Sequence, residues 1–502
     1  MGGRLSPARA RVVERDHPDV GDPAVSAAEV WALAPYLALA GGIVLLLLAV
    51  AALRSHRLAF WGAIATLAIP LLFVPSALGG GTQIVDTVLE IDGYALFFFV
   101  LFSLAAIATA VLSARYLGSR ATHRQEFYLL LTTATLGAAV TAGASHFATF
   151  LMGLEVLSIS LYAMIAYPEE GHPPLEAAAK YLVLSGAASS TMLFGMALIY
   201  TASGSLTFDA PGDSAAGEHN VLVLGQAMLL VGVFFKLSLV PFHMWTPDVY
   251  QGAPAPVTGF VATVSKGAVF AVLLRYAIDA DLLSSPAVGI VIAIIAVLSM
   301  VVGNILALLQ TNLKRLLAYS SIAHLGYLMI ALVVAGTAAG RALGVESGLF
   351  YVAGYFLMTL AAFGVVTVLS NETEDADQVS GYEGLLWRRP VIAAVLAAAA
   401  LALAGIPLTV GFFAKFYLVA AGVGNAAWGL VWALIVGSAI GIYYYLRIVF
   451  AMTKRPDDDR QHEVRRISWE GLLTIGVLGL LVVALGVYPT PAIELIRGLA
   501  GP

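Results

Sequence analysis

IVLLLLAVAAL (43–53) lies within a longer apolar stretch, 29–53, and its reading decides the fold. The run has no alternation, so it is not a strand of a membrane β-barrel, where lipid-facing and lumen-facing residues alternate over about ten positions. It is instead part of a helix crossing a bilayer, which needs about 20 apolar residues. Working outward, the same pattern recurs with scarcely a break and gives about fourteen candidate spans between residues 29 and 488. Composition agrees: of 502 residues 60% are hydrophobic and only 11% charged, against roughly 25% charged in a soluble domain. A chain of soluble domains is thereby excluded. The expected fold is an all-α polytopic membrane protein with a single transmembrane domain, 29–488. A polar tail, 1–28, precedes it and is expected to be disordered, and a C-terminal tail, 489–502, follows.

The chain has no cysteine, which excludes Cys-ligated iron–sulfur clusters, thiolate zinc, thiol catalysis and disulfides within it. Its net charge of −5 is too small to imply nucleic acid. Basic residues give an orientation, because Lys and Arg concentrate in cytoplasmic loops. The loops after odd-numbered spans carry Arg54, Arg57, Arg115, Arg120, Arg124, Lys314, Arg315, Arg388, Arg389, Lys454 and Arg455, with Arg460, Arg465 and Arg466. The opposite loops carry Arg275 and Arg341. Both termini are therefore expected outside.

Two stretches interrupt the helical pattern. VGVFFKLSLVPFHMWTPDVYQGAPAP (231–256) has Pro241 within its span, and ALALAGIPLTVGFFAKFYLVAAG (400–422) has Gly405 and Pro407 near the middle of the expected span 389–423. Proline removes a backbone donor and frees a carbonyl, which a membrane tolerates only where protein or water satisfies the exposed groups. Paired broken helices in two halves of a chain point to an ion path near the midplane.

Ionisable residues fall at the same places. Glu155 is mid-span in TFLMGLEVLSISLYAMIAY (149–167), and Lys180 lies early in its span in PPLEAAAKYLVLSGAASS (173–190). Lys236 precedes Pro241, Lys266 centres VATVSKGAVFAVL (261–273), and Lys415 follows Pro407. Each such group costs on the order of 2.5–3.5 kcal/mol at the centre of a helix, so it persists only if paired, hydrated or useful. Lys180 has a bland alternative, snorkelling or pairing with Glu176 four residues earlier. Lys314 and Lys454 flank their spans and are expected only to anchor topology. Lysine suits proton transfer in an apolar interior, since its ordinary pKa of about 10.4 falls on desolvation and a nearby carboxylate restores it. Glu155 with Lys236 is the candidate pair, and Lys266, His324 in SSIAHLGYLMIAL (320–332) and Lys415 continue the line. His243 is a further candidate or an interfacial group. Nothing resembles a nucleotide loop or a metal-ligand pair on one helix face, so the driving force must come from a gradient or a redox partner.

At these residues the chain resembles subunit N of bacterial NADH–quinone oxidoreductase, respiratory complex I, an antiporter-like family related to the large subunits of Mrp sodium/proton antiporters. The resemblance rests on GLEVLSISLYAMIAY, LEAAAKYLVLSGAASS and FFKLSLVPFHMWTPDVYQGAPAPVTGFVATVSKGAVF. It continues in NILALLQTNLKRLLAYSSIAHLGYLM and LAGIPLTVGFFAKFYL. It implies two inverted five-helix repeats, about 126–279 and 286–452, each with a broken helix. It implies a proton-transfer line in which Glu155 and Lys236 form the pKa-modulating pair, Lys266 is the central relay and Lys415 leads onward. It also implies a bacterial plasma membrane location and complex I subunits as partners, antiporter-like neighbours among them. NADH and quinone would be used by the complex, with FMN and iron–sulfur clusters in partner subunits and no cofactor in this chain. The alternatives are a subunit of an Mrp-type cation/proton antiporter and a structural membrane scaffold.

Overall fold

The computed structural model describes residues 27–118, 120, 124–167, 172–209, 216–371, 373–455 and 468–499. The expected disordered tail therefore lies outside the described residues except for its last two positions, which already belong to the first helix. That helix, α1 (Ala27–Leu53), is followed by α2 (His56–Ala68) and α3 (Val74–Gly79), joined by a 3-10 turn at Ile69–Phe73. Gly80 and Gly81 then turn the chain into a hairpin, β1 (Gln83–Val85) paired antiparallel with β2 (Leu89–Ile91). The first half of the bundle comprises α4 (Gly93–Tyr116), α5 (Gln125–Gly143), α6 (Phe147–Ile165), α7 (His172–Ser203) and α8 (Ala216–Leu237). It ends with α9 (Trp245–Gly252), α10 (Ala255–Phe260), a π-helical turn at Val261–Ser265, and α11 (Lys266–Asp279). The second half holds α12 (Pro286–Leu308), α13 (Leu313–Ala335), α14 (Arg341–Leu369), the short α15 (Leu385–Arg388), α16 (Pro390–Ala404), α17 (Val410–Gly424) and α18 (Trp428–Thr453). Helices α19 (Trp469–Val487) and α20 (Thr490–Leu499) complete the chain.

Twelve helices among the described residues are long and apolar enough to cross a membrane, and α16 and α17 are shorter apolar helices. The hairpin is a small exception to an otherwise helical chain. Helix starts are set by local polar caps: the Asp92 carboxylate accepts from the Ala95 amide at 2.7 Å, and the Asn312 side chain from the Arg315 amide at 3.0 Å. Such caps satisfy amides that have no partner within the helix.

Burial is uneven. The stretch 255–277 is enclosed throughout and α13 nearly so, whereas α1 and α12 turn rows of Leu, Val and Ile outward, as a lipid-facing helix should. The most enclosed helices thus carry Lys266 and His324. Helix α5 packs on α6, α7 on α8, and α12 on α13, while α14 lies against α16, α17 and α19. Close crossing of α5 and α6 depends on Gly153, where a Cβ would stand 2.7 Å from Thr141 Oγ1; this fixes the helix that presents Glu155.

Three readings of the sequence are corrected. Arg275 is not a loop residue but a buried member of α11, paired with Glu90 at 2.5 Å and Asp92 at 2.8 Å. Two carboxylates from the hairpin region draw it in. Lys314 is not a surface anchor but is buried at the start of α13. Arg341 likewise is not a loop residue but the first residue of α14, a helix that also holds Glu346, buried and bonded to Tyr417 and to Arg497 of α20 at 2.7 Å.

Candidate functional site

Both expected breaks are real interruptions of the backbone. Helix α8 ends at Leu237, one residue after Lys236; Ser238 takes a left-handed φ of +63°, and the chain runs through Pro241 before α9 begins. Helix α16 ends at Ala404 and is capped by Gly405, whose φ of +85° suits glycine, and α17 begins at Val410. Each break places a lysine beside it. Lys415 Nζ donates to the carbonyls of Leu403 at 2.9 Å and Ala404 at 3.0 Å. These are the last carbonyls of α16, which the break leaves without helical partners, so the ammonium caps the negative end of a half-helix. Gly405 makes room for it: a Cβ there would lie 2.9 Å from Lys415 Cδ.

Lys236 is only 2% exposed and donates to Ser158 Oγ of α6 at 2.8 Å and Ser185 Oγ of α7 at 2.6 Å. Glu155, half-buried one turn before Ser158, accepts from Ser189 Oγ of α7 at 2.6 Å. The expected pair is therefore not in direct contact; each member bonds a different serine of α7, Lys236 Ser185 and Glu155 Ser189, one turn apart. Tyr162 adds a further donor to Ser185 Oγ at 2.7 Å.

Lys266 is 1% exposed, follows the π-helical turn, and donates to Ser321 Oγ of α13 at 2.8 Å. Tyr355 OH of α14 donates to the same oxygen at 2.7 Å. A π turn inside a helix shifts the side chains that follow it and recurs at functional sites. One turn beyond Ser321 on α13 stands His324, 1% exposed, with Nδ1 2.7 Å from Tyr351 OH and Nε2 3.3 Å from Tyr445 OH. Tyr445 OH also bonds Ser320. Tyr327, one turn further along α13, presents its ring to Lys415 Nζ at 5.2 Å and accepts from Asn304 Nδ2 at 2.7 Å.

Glu155 and Lys236 thus bond neighbouring serines of α7, and Lys266, His324 and Lys415 are gathered along α13. Lys180 stands apart. It is exposed and ion-paired with Glu176 at 2.7 Å and Asp248 at 3.0 Å. His243 is buried in the connection between α8 and α9 and bonds none of these lysines.

A second buried group lies at the end of the bundle where α13 starts. Asp375, in the connection after α14, receives Lys314 Nζ at 2.6 Å, Arg120 Nη1 at 2.9 Å and Tyr116 OH at 2.7 Å. Burial alone pushes the Asp375 carboxyl up, but the charge and hydrogen bond of Lys314, with Arg120 and Tyr116, outweigh it and hold the group down at about 2. Sequence reading missed Asp375, and it missed the hydroxyls. Their signal was present as spacing: Ser185 with Ser189 and Tyr351 with Tyr355 each lie four apart, on one helix face.

Among the described residues no group of three or more His, Asp or Glu side chains could hold a metal ion. With no cysteine in the chain, the donor set does not fit an iron–sulfur centre.

Residues 144–441 match the family described as NADH:quinone oxidoreductase/Mrp antiporter, TM. The chain is 46% identical over 473 residues to NADH-quinone oxidoreductase subunit N of Methylococcus capsulatus, covering 94% of this chain and 95% of that one. It is 44% identical over 480 residues to the subunit N of Ectopseudomonas mendocina, covering 93% and 96%. It is also similar to a chain of respiratory complex I from Thermus thermophilus with bound aureothin, with a TM-score of 0.80, 34% identity and 93% and 100% coverage. A chain of the Mrp complex from Dietzia superposes with a TM-score of 0.82 over 94% and 97% of the two chains at 19% identity, a likeness of fold alone. The chain belongs to the NADH:quinone oxidoreductase/Mrp antiporter transmembrane family and, within it, to the NADH-quinone oxidoreductase subunit N proteins.

Proposed function

We propose that this chain is the proton-translocating membrane subunit of an NADH–quinone oxidoreductase, in which quinone reduction elsewhere in the complex drives proton transfer along buried side chains. One observation carries the reading: Glu155 and Lys236 bond serines one turn apart on a single helix, and Lys266, His324 and Lys415 contact successive positions of α13 or lie on it. Buried ionisable groups in a membrane are costly and are kept where they serve. Lysine fits the task because it can lose its proton in an apolar site, whereas arginine stays charged.

Each group has a part. Glu155 and Lys236 are the modulating pair, with Ser185 and Ser189 relaying between them. A shift that brings the carboxylate to the ammonium stabilises the proton on Lys236, and separation releases it. Lys266 is the central relay, His324 passes the proton between tyrosine hydroxyls, and Lys415 hands it to the other side. Lys180 supplies protons at the exposed end. Helices α5 to α11 and α12 to α18 act as two inverted repeats, about 126–279 and 286–452, each with one broken helix. Both termini face outward from the bacterial plasma membrane, in keeping with the placement of Arg and Lys. The partners are other complex I subunits, with antiporter-like neighbours among them. FMN, iron–sulfur clusters and the quinone site belong to those partners.

The Mrp-type antiporter remains the competing assignment, since that fold is shared. Affinity purification of the tagged chain in mild detergent separates the two. Recovery of iron–sulfur subunits with NADH-dependent quinone reduction supports the proposal; recovery of antiporter subunits alone overturns it.

A further inference from the structure

Helix α9 is short, Trp245–Gly252, yet it touches the surroundings of three lysines. Trp245 stacks on Tyr181, the neighbour of Lys180, with centroids 4.7 Å apart, and on Phe235, the neighbour of Lys236, at 5.5 Å. Its Nε1 also donates to the Phe235 carbonyl at 3.0 Å. Thr246 Oγ1 donates to Ser238 Oγ at 2.6 Å, just past the end of α8. The Tyr250 ring faces Lys266 Nζ at 5.3 Å. Beyond the helix, the Ala253 carbonyl accepts from Lys314 Nζ at 2.6 Å.

Asp248 holds this helix from two sides. Its Oδ2 accepts from Lys180 Nζ of α7 at 3.0 Å, and its Oδ1 from Arg315 Nη1 of α13 at 2.8 Å. Arg315 Nη1 also donates to Gln251 Oε1 at 3.0 Å. The group opens on a cavity of about 230 Å³ lined by Glu176, Lys180, Asp248 and Gln251. Lys180 is partly exposed there and holds Glu176 at 2.7 Å together with Asp248 at 3.0 Å, so it can keep either carboxylate alone.

We propose that Asp248 is a positioning carboxylate: by holding Lys180 and Arg315 together, it seats α9 beside Lys236 and Lys266 and ties that seat to the second half of the bundle. The inference rests on the proton-transfer reading above and adds a residue that bonds no member of the buried line, only the exposed Lys180 and Arg315. When Lys180 turns to Glu176, Asp248 is left to Arg315 and α9 follows α13. When Lys180 returns, the helix is held from both halves. Coupling between two sites requires an element that both sides bias, and α9 is that element.

The test measures protons moved per NADH oxidised in inverted membrane vesicles that contain the assembled complex. Asp248→Asn is expected to lower this ratio by about two-fold or more, the low end for a coupling contact, while Asp248→Glu restores most of it. Arg315→Gln is expected to reproduce the loss, and the double variant to fall no lower than the worse single one. A normal ratio in Asp248→Asn overturns the inference, as do losses in the two single variants that multiply in the double. So does a fall in pumping that only tracks the amount of complex assembled. If Asp248→Asn does not assemble, Arg315→Gln carries the comparison with Arg315→Lys as its rescue: a normal ratio in Arg315→Gln overturns the inference. Lys236→Met is run beside them. Normal pumping in Lys236→Met overturns the proton-transfer reading itself; a normal Asp248→Asn beside an inactive Lys236→Met overturns only the role of Asp248.

Discussion

Ser185 and Ser189 stand one helical turn apart on α7 and divide two charges between them: Ser185 accepts from Lys236 at 2.6 Å, and Ser189 donates to Glu155 at 2.6 Å. The carboxylate and the ammonium are thus each bonded to a hydroxyl of the same helix, one turn apart, whose proton can rotate. Such an arrangement supports transfer without the stability of a closed ion pair, which would fix the proton.

Removing one hydroxyl tests this. Ser185→Ala leaves Lys236 with Ser158 alone and forfeits a hydrogen bond to a charged group, worth about 1.5–3 kcal/mol. Proton pumping is expected to fall about ten-fold or more, with Ser185→Thr close to normal. The measurement is proton uptake into inverted vesicles at matched complex content, and equal rates for Ala and Thr would contradict the relay.

Gly405 gives a second test. At φ +85° any other residue is strained by about 1–2 kcal/mol, and an added Cβ would meet Lys415 Cδ at 2.9 Å. Gly405→Ala is expected to lower the unfolding temperature of the purified complex and to displace the ammonium from Leu403 and Ala404. Lys415→Ala is expected to keep the fold but reduce quinone-linked pumping. Unchanged activity in Lys415→Ala removes it from the route.

The third test concerns Asp375. Asp375→Asn leaves buried Lys314 without its carboxylate, and breaking a buried pair costs about 3–5 kcal/mol. Thermal denaturation in detergent is expected to show the loss, and adding Lys314→Met is expected to recover part of it. The pH dependence has a defined sign. The folded carboxyl sits at about 2, below its ordinary 3.8, so its contribution is full above about pH 4 and is lost as pH falls toward 2. From pH 5 to pH 9 stability is expected to be flat in this contribution.

The overall helical membrane fold was legible because apolar runs of bilayer length leave no other solution, and both breaks were marked by Pro241 and by Gly405 with Pro407. The lysines were legible because a charge in such a run stands out. The hydroxyls were not. Ser158, Ser185 and Ser321 look like ordinary small residues of a membrane helix until a lysine from another helix is brought to them. Lys314 misled for the opposite reason: its position at a helix start reads as an anchor, and only the return of the chain at Asp375, 61 residues later, buries it. Asp248 was likewise hidden, since its partners come from α7 and α13.

A narrower point concerns His324. Its two ring nitrogens face Tyr351 and Tyr445, so a relay needs both hydroxyls. Tyr351→Phe and Tyr445→Phe are each expected to slow pumping at saturating NADH without dissociating the complex. If both leave the rate unchanged, His324 is a packing residue.

The most direct measurement replaces the lysine at the first break. Lys236→Met keeps most of the length and the apolar stem of the side chain and removes its ammonium group. In inverted vesicles with the complex assembled, the account expects NADH-driven proton uptake to be lost or severely reduced. Normal uptake per NADH from an intact Lys236→Met complex would contradict it.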